Sequence, residues 1–193
     1  MSSAGTLLTT WDEFLQIPDA PDPEHYELHD GEIVLVPPPR PIHFLIRMWL
    51  NHWLMTAAAG RGYSAQEFPY RPAANLQFWT ADVAYAPEAD WVRFRNANYT
   101  VFAPPLIIEV LSPSNKLEKI KRQQIAAFSG GTREFWLIDA DLKTIEVSIP
   151  GQAPHTYGIG DTIEITVLPG VSLAVQDLFD ALCNPEVERR FDA

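Results

Sequence analysis

The run Pro105-Leu106-Ile107-Ile108-Glu109-Val110-Leu111 sets one carboxylate inside a short, continuous apolar segment. That pattern belongs to a central strand buried on both faces. An ionised carboxylate there costs several kcal/mol unless it is paired or bound to a metal. Asp82, in Thr80-Ala81-Asp82-Val83-Ala84-Tyr85, is a second acid embedded in a strand-like run. Two carboxylates from neighbouring strands can hold Mg²⁺, which takes oxygen ligands and keeps several waters. A cation held there could activate a water and stabilise charge on a phosphodiester. The basic cluster Lys116, Lys119, Lys121 and Arg122 follows Glu109 closely enough to contact phosphate. The competing reading is structural: Glu109 pairs with an arginine and Asp82 caps a turn. Perturbed acids also occur in structural networks, and spacing alone leaves both readings open.

The elements that must position these acids follow from periodicity and turn chemistry. Thr10-Trp11-Asp12-Glu13 has the form of a capping box, which predicts a short helix to about Gln16, before Pro18. Tyr26 to His29 and Glu32 to Val36 flank Asp30-Gly31, a hairpin signal. A helix is expected from Pro41, an allowed first-turn position, to just before Gly60. Its residues Ile42, Leu45, Ile46, Trp49, Leu50, Trp53 and Leu54 recur at helical spacing and predict one buried face. Strands are expected at Tyr63–Glu67, Asn75–Trp79 and Ala81–Ala86, then a polar, aromatic loop from Glu88 to Ala103. After the Glu109 strand, Ser112-Pro113-Ser114-Asn115 breaks the chain. Leu117 to Phe128 reads as a helix closed by Gly130-Gly131, and Glu134 to Ile138 as another strand. That strand–helix–strand order implies a crossover and parallel pairing. Lys143–Ile149 and Thr162–Leu168 are expected as antiparallel edge strands, and a last helix at about Val175 to Leu182. The class is α/β or α+β: a mixed central sheet flanked by helices.

Composition bounds the rest. The 193 residues carry 25 acidic and 14 basic side chains, a net charge of −11, which argues against passive coating of nucleic acid. The length predicts a single domain over 1–193. The lone Cys183 excludes a disulfide framework and a Cys-based zinc site. No apolar run approaches ~20 residues, and Met1 to Thr10 lacks a secretory pattern, so a soluble cytoplasmic protein away from membranes is expected.

Several segments together resemble a known family. They are Tyr26-Glu27-Leu28-His29-Asp30-Gly31-Glu32, Pro37-Pro38-Pro39 with His43 beyond, and Ala81-Asp82-Val83-Ala84-Tyr85. Glu109-Val110-Leu111-Ser112-Pro113-Ser114, Gly131-Thr132-Arg133-Glu134-Phe135-Trp136-Leu137-Ile138-Asp139 and Leu168-Pro169-Gly170-Val171-Ser172-Leu173 complete the set. In this order, over about residues 8 to 185, the chain resembles the Uma-type putative restriction endonucleases of the PD-(D/E)XK nuclease superfamily. The resemblance implies a restriction-endonuclease-like fold, Mg²⁺ (or Mn²⁺) held by Asp82 and Glu109, DNA as substrate and a homodimer. Glu27 matches a family acid that could add a supporting or second-metal carboxylate; otherwise it is a solvated strand residue. Two departures stand out. The lysine expected two residues after the acid is Leu111, and the lysine expected on the following helix is Gln123. Lys119, one turn earlier on the same helical face, could substitute. The alternative is a catalytically degenerate binding or scaffold protein on the same fold.

Other residues carry weaker signals. His43 at a helix start is expected to be a cap or surface residue rather than a phosphate contact. His25, His29, His52 and His155 show no metal-ligand spacing. Trp49 and Trp53 suit a core or dimer interface, with Met48 adding apolar surface beside them. Trp79, Trp91, Phe94 and Tyr99 flank Asp82 and could line a groove or simply pack a loop.

Overall fold

A computed structural model describes residues 8–95, 101–112 and 117–183. In chain order the elements are α1 (Trp11–Phe14), β1 (His25–His29), β2 (Glu32–Val36), α2 (Pro41–Ala58), β3 (Gly62–Tyr70), β4 (Gln77–Pro87), α3 (Glu88–Arg95) and β5 (Leu106–Val110). They continue as α4 (Leu117–Ser129), β6 (Glu134–Asp139), β7 (Thr144–Ser148), β8 (His155–Tyr157), β9 (Thr162–Glu164), β10 (Ser172–Ala174) and α5 (Val175–Cys183). Local chemistry sets several ends. Thr10 and Glu13 form the reciprocal capping box of α1. Asp30 and Gly31 both take positive φ, 51° and 84°, as a two-residue hairpin turn of this hand requires. Leu8 packs onto that turn so closely that a Cβ on Gly31 would lie 2.7 Å from its Cβ. Pro41 opens α2, and Ala59, in the left-handed region, closes it.

Among the described residues, eight strands form one mixed sheet in the order β2-β1-β4-β5-β6-β7-β8, with β3 also paired to β4. β5 and β6 are parallel, joined by the α4 crossover, and the other pairs in this sheet are antiparallel. On one side α2 and α5 bury Ile46, Leu50, Leu54, Leu178 and Phe179 against Val83, Ile108, Val110 and Trp136. On the other, Ile120 and Ala127 of α4 pack with Phe68, Trp79, Ile107 and Phe135. No helix among the described residues is long and apolar enough to cross a membrane.

The structure corrects four expectations. β4 is one continuous strand rather than two, because Thr80 stays extended between the fully buried Trp79 and Ala81 and pairs with Pro69 of β3. The expected loop from Glu88 begins as the helix α3, whose Trp91 and Phe94 pack on Phe68. β7 is not an edge strand, since β8 pairs outside it. β9 leaves the main sheet altogether and pairs with β10, burying Ile163 and Leu173 together. Residues 113–116, where a break is expected, lie outside the described residues.

Candidate active site

Strand β4 has two short ladders beside one another. β1 pairs with it at Gln77 and Phe78, and β5 pairs with it from Val83 to Tyr85. Between them, amides of the sheet donate to carboxylates instead of carbonyls. Thr80 N–H donates to Glu27 Oε1 at 2.8 Å and Asp82 N–H to Glu109 Oε1 at 3.4 Å. Val110 N–H donates to Asp82 Oδ2 at 2.8 Å. Continuing the Val83–Ile108 register by one step sets Asp82 directly opposite Glu109, on the same face of the sheet.

Two helices supply the partners. From α4, Gln123 Nε2 donates to Glu109 Oε1 at 2.8 Å, and Lys119 Nζ lies 3.1 Å from Glu27 Oε2. From the start of α2, His43 Nε2 donates to Asp82 Oδ2 at 2.8 Å, and Arg47 Nη1 stands 3.5 Å from Asp82 Oδ1. Arg47 Nη2 also reaches Glu67 Oε1 of β3 at 3.1 Å. Register puts Glu67 opposite Asp82, and its φ of 49° in mid-strand is a left-handed conformation costing a side-chain-bearing residue about 1–2 kcal/mol. Strain of this kind clusters at functional sites. Glu27, His43, Arg47, Glu67, Asp82, Glu109 and Lys119 line a cleft of about 220 Å³, together with Pro37, Pro38 and Pro39, whereas Gln123 reaches Glu109 from behind that lining.

The acids do not share one electrostatic state. Burial, then the charges of Asp82 and Glu27, push the Glu109 carboxyl well above the usual carboxylate range. Burial also opposes ionisation of Glu27, but interactions with His25 and His29 and the charge of Lys119 outweigh it and hold this carboxyl below its ordinary value. His29 Nε2 donates to Glu27 Oε2 at 2.8 Å while its ring stacks on Trp79 at 3.5 Å. Burial and then the nearby Glu109 raise the Tyr70 hydroxyl, against the opposing influence of the Gln123 side chain.

Asp82, Glu109, Gln123, Lys119 and Glu27 are therefore brought together. Glu27 is buried rather than solvated. Among the described residues neither structural alternative for the paired acids is found: Asp82 lies mid-strand, and Arg47 pairs with it rather than with Glu109. His43 is neither a cap nor a surface residue, because the Asp82 carboxylate draws it inward. Trp79 is buried against His29, which leaves it no groove to line, while the partly buried Trp91 and Phe94 pack on Phe68; Tyr99 and Lys116 lie outside the described residues. Trp49 and Trp53 stack on each other at 6.1 Å, half-buried against the core. Sequence reasoning missed Arg47 and Glu67. The available signal was that His43 and Arg47 are four residues apart, on one helical face with the buried Ile46 and Leu50.

The family model for Uma2, putative restriction endonuclease, matches residues 11–176, which include every residue of this site. The chain belongs to the Uma2 family. Among solved structures, it is similar to a putative nuclease belonging to DUF820 from Anabaena variabilis, at a TM-score of 0.79 and 23% identity, over 90% of this chain and 98% of that one. At that identity the likeness is one of fold. No curated protein matches the chain.

For a Uma2 member the question is whether the residues present suit a divalent cation. Among the described residues, no group of three or more His, Cys, Asp and Glu side chains stands arranged as a metal cage. Mg²⁺ asks for less, since it binds through one or two carboxylates and keeps several waters. Asp82 and Glu109, opposed across two strands, are such a donor set. Burial first, and then the two neighbouring acids, keep the Glu109 carboxyl raised.

Proposed function

We propose that this Uma2 protein is a divalent-metal-dependent endonuclease acting on DNA, with Asp82 and Glu109 as the metal ligands. The observation that carries this reading is the pair of opposed carboxylates at the base of the cleft, in a ladder gap where sheet amides turn to acids. A bound Mg²⁺ or Mn²⁺ would supply an activated water and offset charge on the phosphodiester. The side chains around it have separable tasks. His43 and Val110 N–H fix Asp82 through Oδ2. Gln123 fixes Glu109 and can orient a water but adds no charge. Glu27 holds Lys119 at the cleft wall, where its ammonium stands in for the lysine absent at Leu111 and Gln123. The cleft is also lined by Arg40 and Arg47, basic residues set among the acids Glu27, Glu67, Asp82 and Glu109. The exposed Ile42, Phe44 and Met55 of α2 favour a homodimer, which sedimentation at micromolar concentration tests.

Isothermal calorimetry with Mn²⁺, run beside cleavage of supercoiled plasmid, tests the nuclease reading. The expected result is Mn²⁺ binding and metal-dependent cleavage by the wild type, both lost in Asp82→Asn. The replaced lysine supports a second reading, a non-catalytic binding protein on this fold. Absence of both Mn²⁺ binding and cleavage would establish that reading instead.

A further inference from the structure

Lys119 stands in for the missing lysine while paired with the buried Glu27, which leaves room for a second cation at the phosphate. We propose that Arg47 is a phosphate-contacting residue of this site, held in readiness by Glu67. The inference rests on the nuclease reading and adds a residue that the acidic motifs do not include. Arg47 reaches the cleft from α2, with its side chain 6% exposed. Its guanidinium fork is only partly engaged. Nη2 meets Glu67 at 3.1 Å, Nη1 is 3.5 Å from Asp82, and the buried Nε has no hydrogen-bond partner among the described residues. A guanidinium keeps its charge and offers five donors in a plane that matches phosphate oxygens two at a time.

The two cations beside the acids differ in what holds them. Lys119 is paired with Glu27, whose side chain is 3% exposed and fixed by Thr80 N–H and His29. Arg47 is paired with Glu67, whose side chain is 59% exposed on the cleft wall. An incoming phosphate can displace an exposed carboxylate but not a buried one. Glu67 sets an anion beside Arg47, where a phosphate would take its place.

The test uses anisotropy of a short fluorescein-labelled DNA duplex in Ca²⁺, over a series of salt concentrations, on the whole protein. Arg47→Gln is expected to weaken binding about 10- to 100-fold and to lower the slope of log affinity against log salt by about 1. Arg47→Lys should keep that slope. Glu67→Gln removes an exposed competitor at near-constant side-chain volume and should tighten binding by a few-fold. Because that variant leaves the buried guanidinium in place, it decides the matter even if Arg47→Gln is unfolded. Unchanged or weaker binding by Glu67→Gln, or an unchanged salt slope in a folded Arg47→Gln, overturns the assignment and leaves the nuclease reading standing. No binding by any form of the protein overturns both.

Discussion

Two buried glutamates on neighbouring parallel strands have opposite surroundings. Glu134 of β6 is fully buried and accepts from Trp136 Nε1 at 2.7 Å, from Thr166 N–H at 2.8 Å and from the Thr166 hydroxyl. Glu109 of β5 is 5% exposed and accepts from Gln123 and, at longer range, from Asp82 N–H. The decisive difference is the other charges. Glu134 is surrounded by donors that belong to the fold, whereas Glu109 shares its space with Asp82 and Glu27. Burial alone therefore does not single out a working acid. A carboxylate ringed by donors is a fixture of the architecture, and one that shares its space with other carboxylates is where the proposed cation would be held.

The sharpest way to break this contrast is to neutralise each acid. Glu109→Gln should cut cleavage on the order of 10³-fold and abolish measurable Mn²⁺ binding by calorimetry. Its effect on stability should run the other way. A carboxyl raised in the folded state contributes stability that is complete below the unfolded value near ~4.3 and is lost as pH rises through the folded value. Metal-free Glu109→Gln should therefore melt above the wild type at alkaline pH, with the gap closing in acid. Metal binding must also displace the Glu109 proton, so Mn²⁺ affinity should climb with pH.

Glu134→Ala should show the reverse profile: a loss of about 3–5 kcal/mol in urea unfolding, because the buried donors are stranded, with Mn²⁺ affinity of the folded fraction unchanged. A weakened metal site in that variant would erase the distinction drawn between the two strands. The smallest effect is expected at Glu27. Glu27→Gln should cost about 1–3 kcal/mol at neutral pH. Its carboxyl is lowered in the folded state, so its contribution exists above ~4.3 and disappears as pH falls toward the folded value. Thermal melts of Glu27→Gln and wild type should thus converge on acidification, while those of Glu109→Gln and wild type diverge as pH rises.

How much of this could be read from the chain follows the range of the interactions. The Asp30-Gly31 hairpin, the Thr10 capping box and the α4 crossover rest on neighbours in sequence or on one long apolar run, and all three are found. β8 and the β9–β10 pair depend on which distant strand covers three residues, so their edges could not be assigned. α3 has few apolar residues and forms against Phe68, which gives a local reading nothing to hold. The acids Asp82, Glu109 and Glu27 stood out because charge in an apolar strand is conspicuous, or because a family pattern marked them. Arg47 did not, because a basic residue on a helix reads as solvated until an acid from a remote strand is known to meet it.

The ladder gap in β4 gives each acid a private witness. Thr80 N–H reads Glu27, Asp82 N–H reads Glu109, and Val110 N–H reads Asp82. Backbone resonances of these three residues can then follow the protonation and metal occupancy of each carboxylate separately. Solvent exchange at the same amides will accelerate wherever a carboxylate turns away. The chemistry proposed for the cleft can be watched one oxygen at a time, from inside the sheet, without substrate or label.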